Sequence, residues 1–481
     1  MSCLTSLPDE VLKLVMKHVP LDDRLTKCCL VNSRLHAAAV AATQDLQLSF
    51  GNGLIHKQTR HPECWFQWAL QYGEHLTCLR LSEFPQALQQ LPCPNLLELS
   101  LNYTPSVQLG PAADGTPGVI QGCTKLTKLE LQGSRDVSAQ GDVVDSLSSL
   151  IHLQHLEFRI KNASALSIAT LPRMQHLTYL DASSLSVENL LQLGALTSLQ
   201  EFGLVGTRNT VAIGPSSVPG LVLPASLTNF VLLAPVEIGI LSVVPTTLQD
   251  LWLECEFSGP IEGPGSLLSG LARLQHLTQL HVYSERGAHE WPLAGAAYTA
   301  LTVSSSLHAL MLHGVELPES VWQHVFPATH KLPRLTYLSV NDGNMFGSDA
   351  PASAWGAADV RNLVSCCPNL CIIQQITLQP GLHVSELHKL MDLTYLDVFS
   401  YTDDLADFLQ SLKGLAAITQ LRWLNVALDT SDILSDVSAA SLLPLTSLTA
   451  LTNFKGGMLI PDGSRLVLEY RSTQVNTQTR L

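Results

Sequence analysis

The phrase Leu-x-x-Leu-x-Leu, with apolar replacements, recurs fifteen times along this chain and constrains its fold more than any other feature. It starts as Leu76-Leu79-Leu81, Leu96-Leu99-Leu101 and Leu126-Leu129-Leu131. It runs through Leu277-Leu280-Val282 and Leu370-Ile373-Gln375 to a last copy at Leu448-Leu451-Asn453. Successive first leucines lie 20 to 35 residues apart. A unit of that size is one short strand with a returning segment, and it cannot bury its leucines alone. Stacking on the units before and after buries them in one continuous core.

The interval and the phrase are those of a leucine-rich repeat. The expected fold is therefore α/β: a leucine-rich-repeat solenoid, a horseshoe of about fifteen repeats over residues 76–455. A chain of 481 residues exceeds what one compact core serves, whereas a solenoid extends its core indefinitely. The asparagine that such repeats carry three residues after the third leucine is missing: Thr104, Ser134 and Thr207 stand there. The ladder that asparagine supplies must then be made otherwise or be incomplete. Between strands, Glu188 to Leu193, Val360 to Val364 and Thr402 to Leu409 read as helices, and Gly206 to Pro224 and Asp342 to Gly356 as loops.

The first 45 residues follow a different pattern. Pro8, Asp9 and Glu10 suit a helix start, Lys17 and His18 its last turn, and Pro20 its stop. Leu12, Val15 and Val19 form one apolar stripe on it, Val11 and Leu14 another. A second helix is expected after Asp22 and a third after Asn32, both N-cap residue types. Three short helices with this much apolar surface expect a partner. Residues 49–75 read as a hinge and a capping helix, with Trp65, Phe66, Trp68, Ala69 and Tyr72 on one side, and 456–481 as a C-terminal cap and polar tail.

Leu7-Pro8-Asp9-Glu10-Val11-Leu12, Val19-Pro20-Leu21-Asp22-Asp23 and Leu30-Val31-Asn32-Ser33-Arg34-Leu35 together resemble an F-box, over residues 1–48. With the repeats, the chain resembles an F-box leucine-rich-repeat protein. Leu35 replaces the tryptophan usual in that family's third helix. The resemblance implies a substrate receptor of an SCF-type cullin ubiquitin ligase, docked to a Skp-type adaptor and through it to a cullin. The residues it implies for adaptor contact are Leu7, Pro8, Leu12, Val15, Val19, Leu21, Leu25, Leu30, Val31 and Leu35, some of which must instead form the core between the helices. The alternative is that the segment only caps a leucine-rich-repeat interaction scaffold with no ubiquitin role.

Strand alternation places the residues between and just before the leucines on the concave face. Early repeats put Arg80, Glu98, Lys128, Glu130, His155, Glu157, Arg159, Asp181 and Glu201 there. Later ones put Trp252, His281, Tyr283, Met311, His313, Tyr337, Tyr395, Phe399, Trp423 and Phe454. Aromatics are only 6% of the chain, so their gathering on one strand face marks a candidate surface for a target protein.

The net charge of −14 argues against nucleic acid or an anionic membrane as partner. No signal-like amino terminus is present, and the eleven cysteines are irregularly spaced. Both point to a cytoplasmic or nuclear protein with buried, reduced thiols. No phosphate-binding loop, nucleophile elbow or zinc-protease helix occurs, so the expectation is a non-catalytic chain with no cofactor and no metal.

Overall fold

The computed structural model describes residues 7–50, 62–84, 88, 91–103, 118–132, 147–159, 171–182, 185–205, 214–233, 236–254, 257–258, 267–283, 295–315, 317–341, 354–379, 384–400, 418–428, 450, 453–459 and 465–471. They fall into two compact units. The first comprises residues 1–210 and 220–227, the second residues 211–219 and 228–481.

The first unit opens with three helices, α1 (Asp9–Lys17), α2 (Leu21–Thr26) and α3 (Ser33–Ala42). Leu12 and Met16, one helical turn apart, face inward and pack on Leu35, Ala38, Ala39 and Ala42, with Val19 and Cys28 at the edge. Small alanines on α3 let the two helices approach closely. Asn32 caps α3 as expected, accepting from the Leu35 amide at 2.9 Å. The second helix begins two residues before the start expected after Asp22, at Leu21 behind Pro20. Proline favours that position because it holds its own φ near the helical value and leaves no N–H unpaired.

Behind the helices comes a parallel ladder: β1 (Asp45–Ser49), β2 (Cys78–Ser82), β3 (Glu98–Asn102), β4 (Lys128–Gln132), β5 (His155–Arg159), β6 (Tyr179–Ala182) and β7 (Glu201–Val205). Each strand pairs with the next without a register shift. One buried row therefore runs Leu46, Leu79, Leu99, Leu129, Leu156, Leu180, Phe202, and a second runs Leu48, Leu81, Leu101, Leu131, Phe158, Ala182, Leu204. The ladder begins at Asp45, ahead of the first full leucine phrase, because fully buried Thr43 occupies the position of its first leucine. The capping helix α4 (Pro62–Tyr72) is present, with Phe66 and Ala69 buried and Phe66 packed 4.4 Å from Phe84 between ring centroids.

The second unit repeats the design in β8 (Asn229–Leu233), β10 (Asp250–Glu254), β12 (Gln279–Tyr283), β13 (Ala309–His313), β14 (Tyr337–Asn341), β15 (Ile372–Leu378), β16 (Tyr395–Ser400), β17 (Trp423–Leu428) and β18 (Asn453–Leu459). Two short strands, β9 (Val236–Glu237) and β11 (Phe257–Ser258), pair separately. The last strand, β19 (Arg465–Arg471), turns back antiparallel on β18 and ends the parallel run. The returning segments predicted as helices at 188–193 and 360–364 are helical, as Val187–Gln192 and Ala357–Cys366. The one expected at 402–409 lies outside the described residues.

Two registers differ from the sequence expectation. In β15 the third core position belongs to Ile376, fully buried, and not to Gln375. Gln375 takes a left-handed φ of 59°, and the pairing with β16 shifts between Ile373 and Ile376. A bulge thus inserts a residue to keep a polar side chain out of the leucine row. In β18, Phe454 pairs with Leu424 and Gly456 with Val426. The strand sits three residues later than Leu451-x-Asn453 implies, and Phe454 occupies the leucine row. Register thus puts position 454 in the row of Leu424 and not in the expected row of Trp423, while the Phe454 side chain lies outside the described residues.

Candidate functional site

The missing asparagine is replaced by threonine, one residue after the first leucine in alternate repeats. The hydroxyls of Thr127 and Thr178 each donate at 3.1 Å to the Leu97 and Gln154 carbonyls of the preceding repeat. Thr77 reaches Gln44, Thr278 reaches Gln249, Thr336 reaches His308 and Thr394 reaches Cys371 in the same way. The same carbonyls also accept the backbone amides of the next strand's entry. At every second step this ladder adds a side-chain bond to the backbone pairing that sets the register of the face opposite the leucines.

In the first unit that open face is charged. Arg80 lies 3.1 Å from Glu98, Lys128 2.7 Å from Glu130 and Arg159 3.3 Å from Glu157. Arg159 also donates to Asp181 at 3.0 Å, and the Tyr179 hydroxyl donates to the same carboxylate oxygen at 3.4 Å. His155 stacks flat on Tyr179 with centroids 3.9 Å apart, its Nε2 3.7 Å from a Glu130 oxygen. Burial, and then the Lys128 charge, hold the His155 pKa below its ordinary value. Burial raises that of Glu157 despite Arg159. Burial opposes ionisation of Glu130 as well, but hydrogen bonds from Lys128 and Ser100 outweigh it and the net shift is downward.

In the second unit the open face is nearly uncharged and aromatic. Trp252 is 43% exposed and leans on His281 at 4.2 Å, and His281 meets His313 edge-on at 5.3 Å. His313 Nε2 lies 2.7 Å from the Ser339 hydroxyl, and Met311 and Tyr283 are half-buried alongside. Among the described residues neither ring nitrogen of His281 has a hydrogen-bond partner, and burial followed by the neighbouring His313 pushes its pKa down to about 4. Tyr337 donates to Gln374 at 2.5 Å, and Tyr395 stacks on Trp423 at 5.5 Å. Phe399 shares the strand row of Tyr395 by register. Nine of the ten residues proposed for target contact thus stand on one face by register, Phe454 being the exception. Ser339 is fully buried, so its pairing with His313 offers no accessible nucleophile.

The residues implied for adaptor contact divide in two. Leu12 and Leu35 are core, at 0% and 6% exposure. Leu30 and Val31 stand out at 84% and 46%, and Val11 and Leu14 are exposed on α1. Pro8 is exposed, and Leu7, Val15, Val19 and Leu21 are half-buried. The side chain of Leu25 lies outside the described residues. Sequence spacing missed Arg24. Its guanidinium donates to the carbonyls of Val19 (2.9 Å), Lys17 (3.3 Å) and Ala42 (3.3 Å) and to the Thr43 hydroxyl (3.2 Å), closing the ends of α1 and α3. Cys78, Cys93, Cys123, Cys366 and Cys367 are buried free thiols, and burial raises Cys93 to about 11.

One strand per repeat, two leucine rows and a hydroxyl ladder define the architecture of a leucine-rich-repeat protein. Solved structures of that class are similar to the chain. They include an internalin from Listeria monocytogenes str. 4b F2365, 15% identical, TM-score 0.46, matched over 90% of this chain and 96% of that one. The leucine-rich-repeat ectodomain of the Arabidopsis thaliana membrane receptor kinase GASSHO1/SCHENGEN3 is 14% identical, TM-score 0.33, over 80% and 50% of the two chains. The PEPR1–AtPEP1 structure is 16% identical, TM-score 0.39, over 80% and 53%. The chain spans about half the length of these last two. No family model and no curated protein matches the chain. Among the described residues, no helix is long and apolar enough to cross a membrane.

Proposed function

We propose that this chain is the non-catalytic substrate-recognition subunit of an SCF-type ubiquitin ligase. Its first three helices would dock a Skp-type adaptor, and through it a cullin, while the open repeat face holds a target protein. The supporting observation is the apolar surface left on a module whose core is already complete. Leu12, Met16 and Leu35 are enclosed, yet Leu30 and Val31 are not, and they lie inside the segment that resembles an F-box. The mechanism is proximity: target lysines are held near a charged conjugating enzyme, and partners supply the chemistry.

A second reading, a helical cap on a repeat scaffold without ubiquitin function, has its own support. His36 of α3 lies 5.6 Å from the ring of Tyr72 in α4, with a 3.2 Å contact between its Nε2 and the Tyr72 hydroxyl, so the module leans on the capping helix. Co-purification of the full chain with a Skp-type adaptor separates the two. The informative variant is Leu30→Asp with Val31→Asp, because both side chains are exposed and the fold should survive the change. A complex with the native chain that is lost in the folded variant supports the ligase reading. No complex with the folded native chain leaves the scaffold.

A further inference from the structure

We propose that Glu130, His155 and Glu157, on the open face of β4 and β5, form a binding site for one divalent transition-metal ion of the manganese or ferrous class. One ligand atom from each of the three lies within 4.8 Å of the other two. Metal bonds of about 2.0–2.2 Å hold ligand atoms about 3–4 Å apart, so small side-chain rotations close the set. His155 Nε2 and the Glu130 oxygen already stand 3.7 Å apart. That is too far for a hydrogen bond and suits an ion between them. The nitrogen is buried and has no hydrogen-bond partner among the described residues. One imidazole with two carboxylates is a donor set for manganese or ferrous ion in preference to softer metals.

A second observation comes from the adjoining strand. Asp181, 3% exposed, follows Glu157 in register on β6. Its Oδ2 takes Arg159 and the Tyr179 hydroxyl, and its Oδ1 is buried with no hydrogen-bond donor among the described residues. Arg159 is divided between Glu157 and Asp181. An ion that takes Glu157 frees Arg159 to close on both oxygens of Asp181, which removes the orphan. The charges agree. Among the described residues Glu130, Glu157 and Asp181 pair with Lys128 and Arg159, three carboxylates against two cations while His155 is neutral. Lys128 is 36% exposed and can yield Glu130 at little cost.

Manganese(II) is the probe, because zinc would also find cysteine thiols. Titration of the full chain into Mn2+, followed by loss of the aqueous ion's paramagnetic resonance signal, should saturate near one ion per chain. His155→Phe keeps a ring on Tyr179 and removes the nitrogen; Glu157→Gln removes a charge. Each should weaken binding at least tenfold. Lys128→Met, which removes the competing ammonium, should tighten it severalfold. An undiminished signal with excess native chain overturns the site, as does binding that both variants leave unchanged. Should those two variants lose their fold by circular dichroism, Lys128→Met decides: tighter binding supports the site, and equal or weaker binding overturns it.

Discussion

Arg24 in the second helix donates a hydrogen bond to the hydroxyl of Thr43, 3.2 Å away, and Thr43 is fully buried just ahead of the first repeat strand. The hydroxyl in turn donates to the Ala39 carbonyl at 2.8 Å. One guanidinium therefore ties the helical module to the start of the ladder. Hydrogen bonds from a charged donor contribute about 1.5–3 kcal/mol each at most, and those of Arg24 are partly solvated. Arg24→Leu should cost about 2 kcal/mol in the module. Amide exchange over residues 9–42 should speed up while the strands from β2 onward keep their protection. Equal protection throughout would show that Arg24 holds nothing together.

The threonine hydroxyls are the repeat-to-repeat fastening. Thr127→Val keeps volume and removes the bond to Leu97, leaving a carbonyl that still accepts two amides. The expected loss is about 1 kcal/mol, with a similar further loss when Thr178→Val is added. Urea unfolding measures both. A neutral double variant would mean that backbone pairing alone sets the strand spacing.

The leucine phrase makes the parallel ladder, the two buried rows and the strand face opposite them legible in the sequence. What escaped it has local physical causes. Thr43 stands where a leucine was sought, so the first rung stayed hidden. Gln375 fits the spacing of the third leucine, but a polar side chain in that row would be buried without partners, and the backbone bulges to bring Ile376 in instead. In the final repeat Leu451 fits the phrase by composition while pairing places Phe454 opposite Leu424. The charged cluster on β4 and β5 was visible only as scattered residues, because Glu130 is 25 and 27 positions from His155 and Glu157 and meets them through register alone.

The neutral histidine pair sets a pH dependence. His281 has a pKa near 4 in the folded chain against 6.5 when free. A depressed histidine contributes full stability above pH 6.5, and that contribution is lost as pH falls toward 4, because the unfolded chain takes up the proton first. Between pH 7 and pH 5 the loss from His281 is about 2 kcal/mol. His313 is shifted the same way by burial and adds to it. The His281→Phe chain, measured by urea unfolding at both pH values, should show a clearly smaller difference than the native chain. An unchanged difference would assign the acid sensitivity to other groups.

Gly203 gives the most local test of the charged face. A Cβ placed there would lie 2.9 Å from Asp181 Cγ and 3.1 and 3.2 Å from its two oxygens. Asp181 is buried and bound to Arg159, so it cannot swing out to water without leaving that partner. Gly203→Ala should therefore destabilise the chain by about 1–3 kcal/mol, an overpacking cost raised by the displaced ion pair. In the Asp181→Ala background the obstacle is gone, and the same Gly203→Ala change should cost about 1 kcal/mol less. That coupling, read from a double-mutant cycle in urea, is the signature of a contact between the two positions. Equal costs in both backgrounds would place the strain of Gly203→Ala in the strand itself and not against the carboxylate.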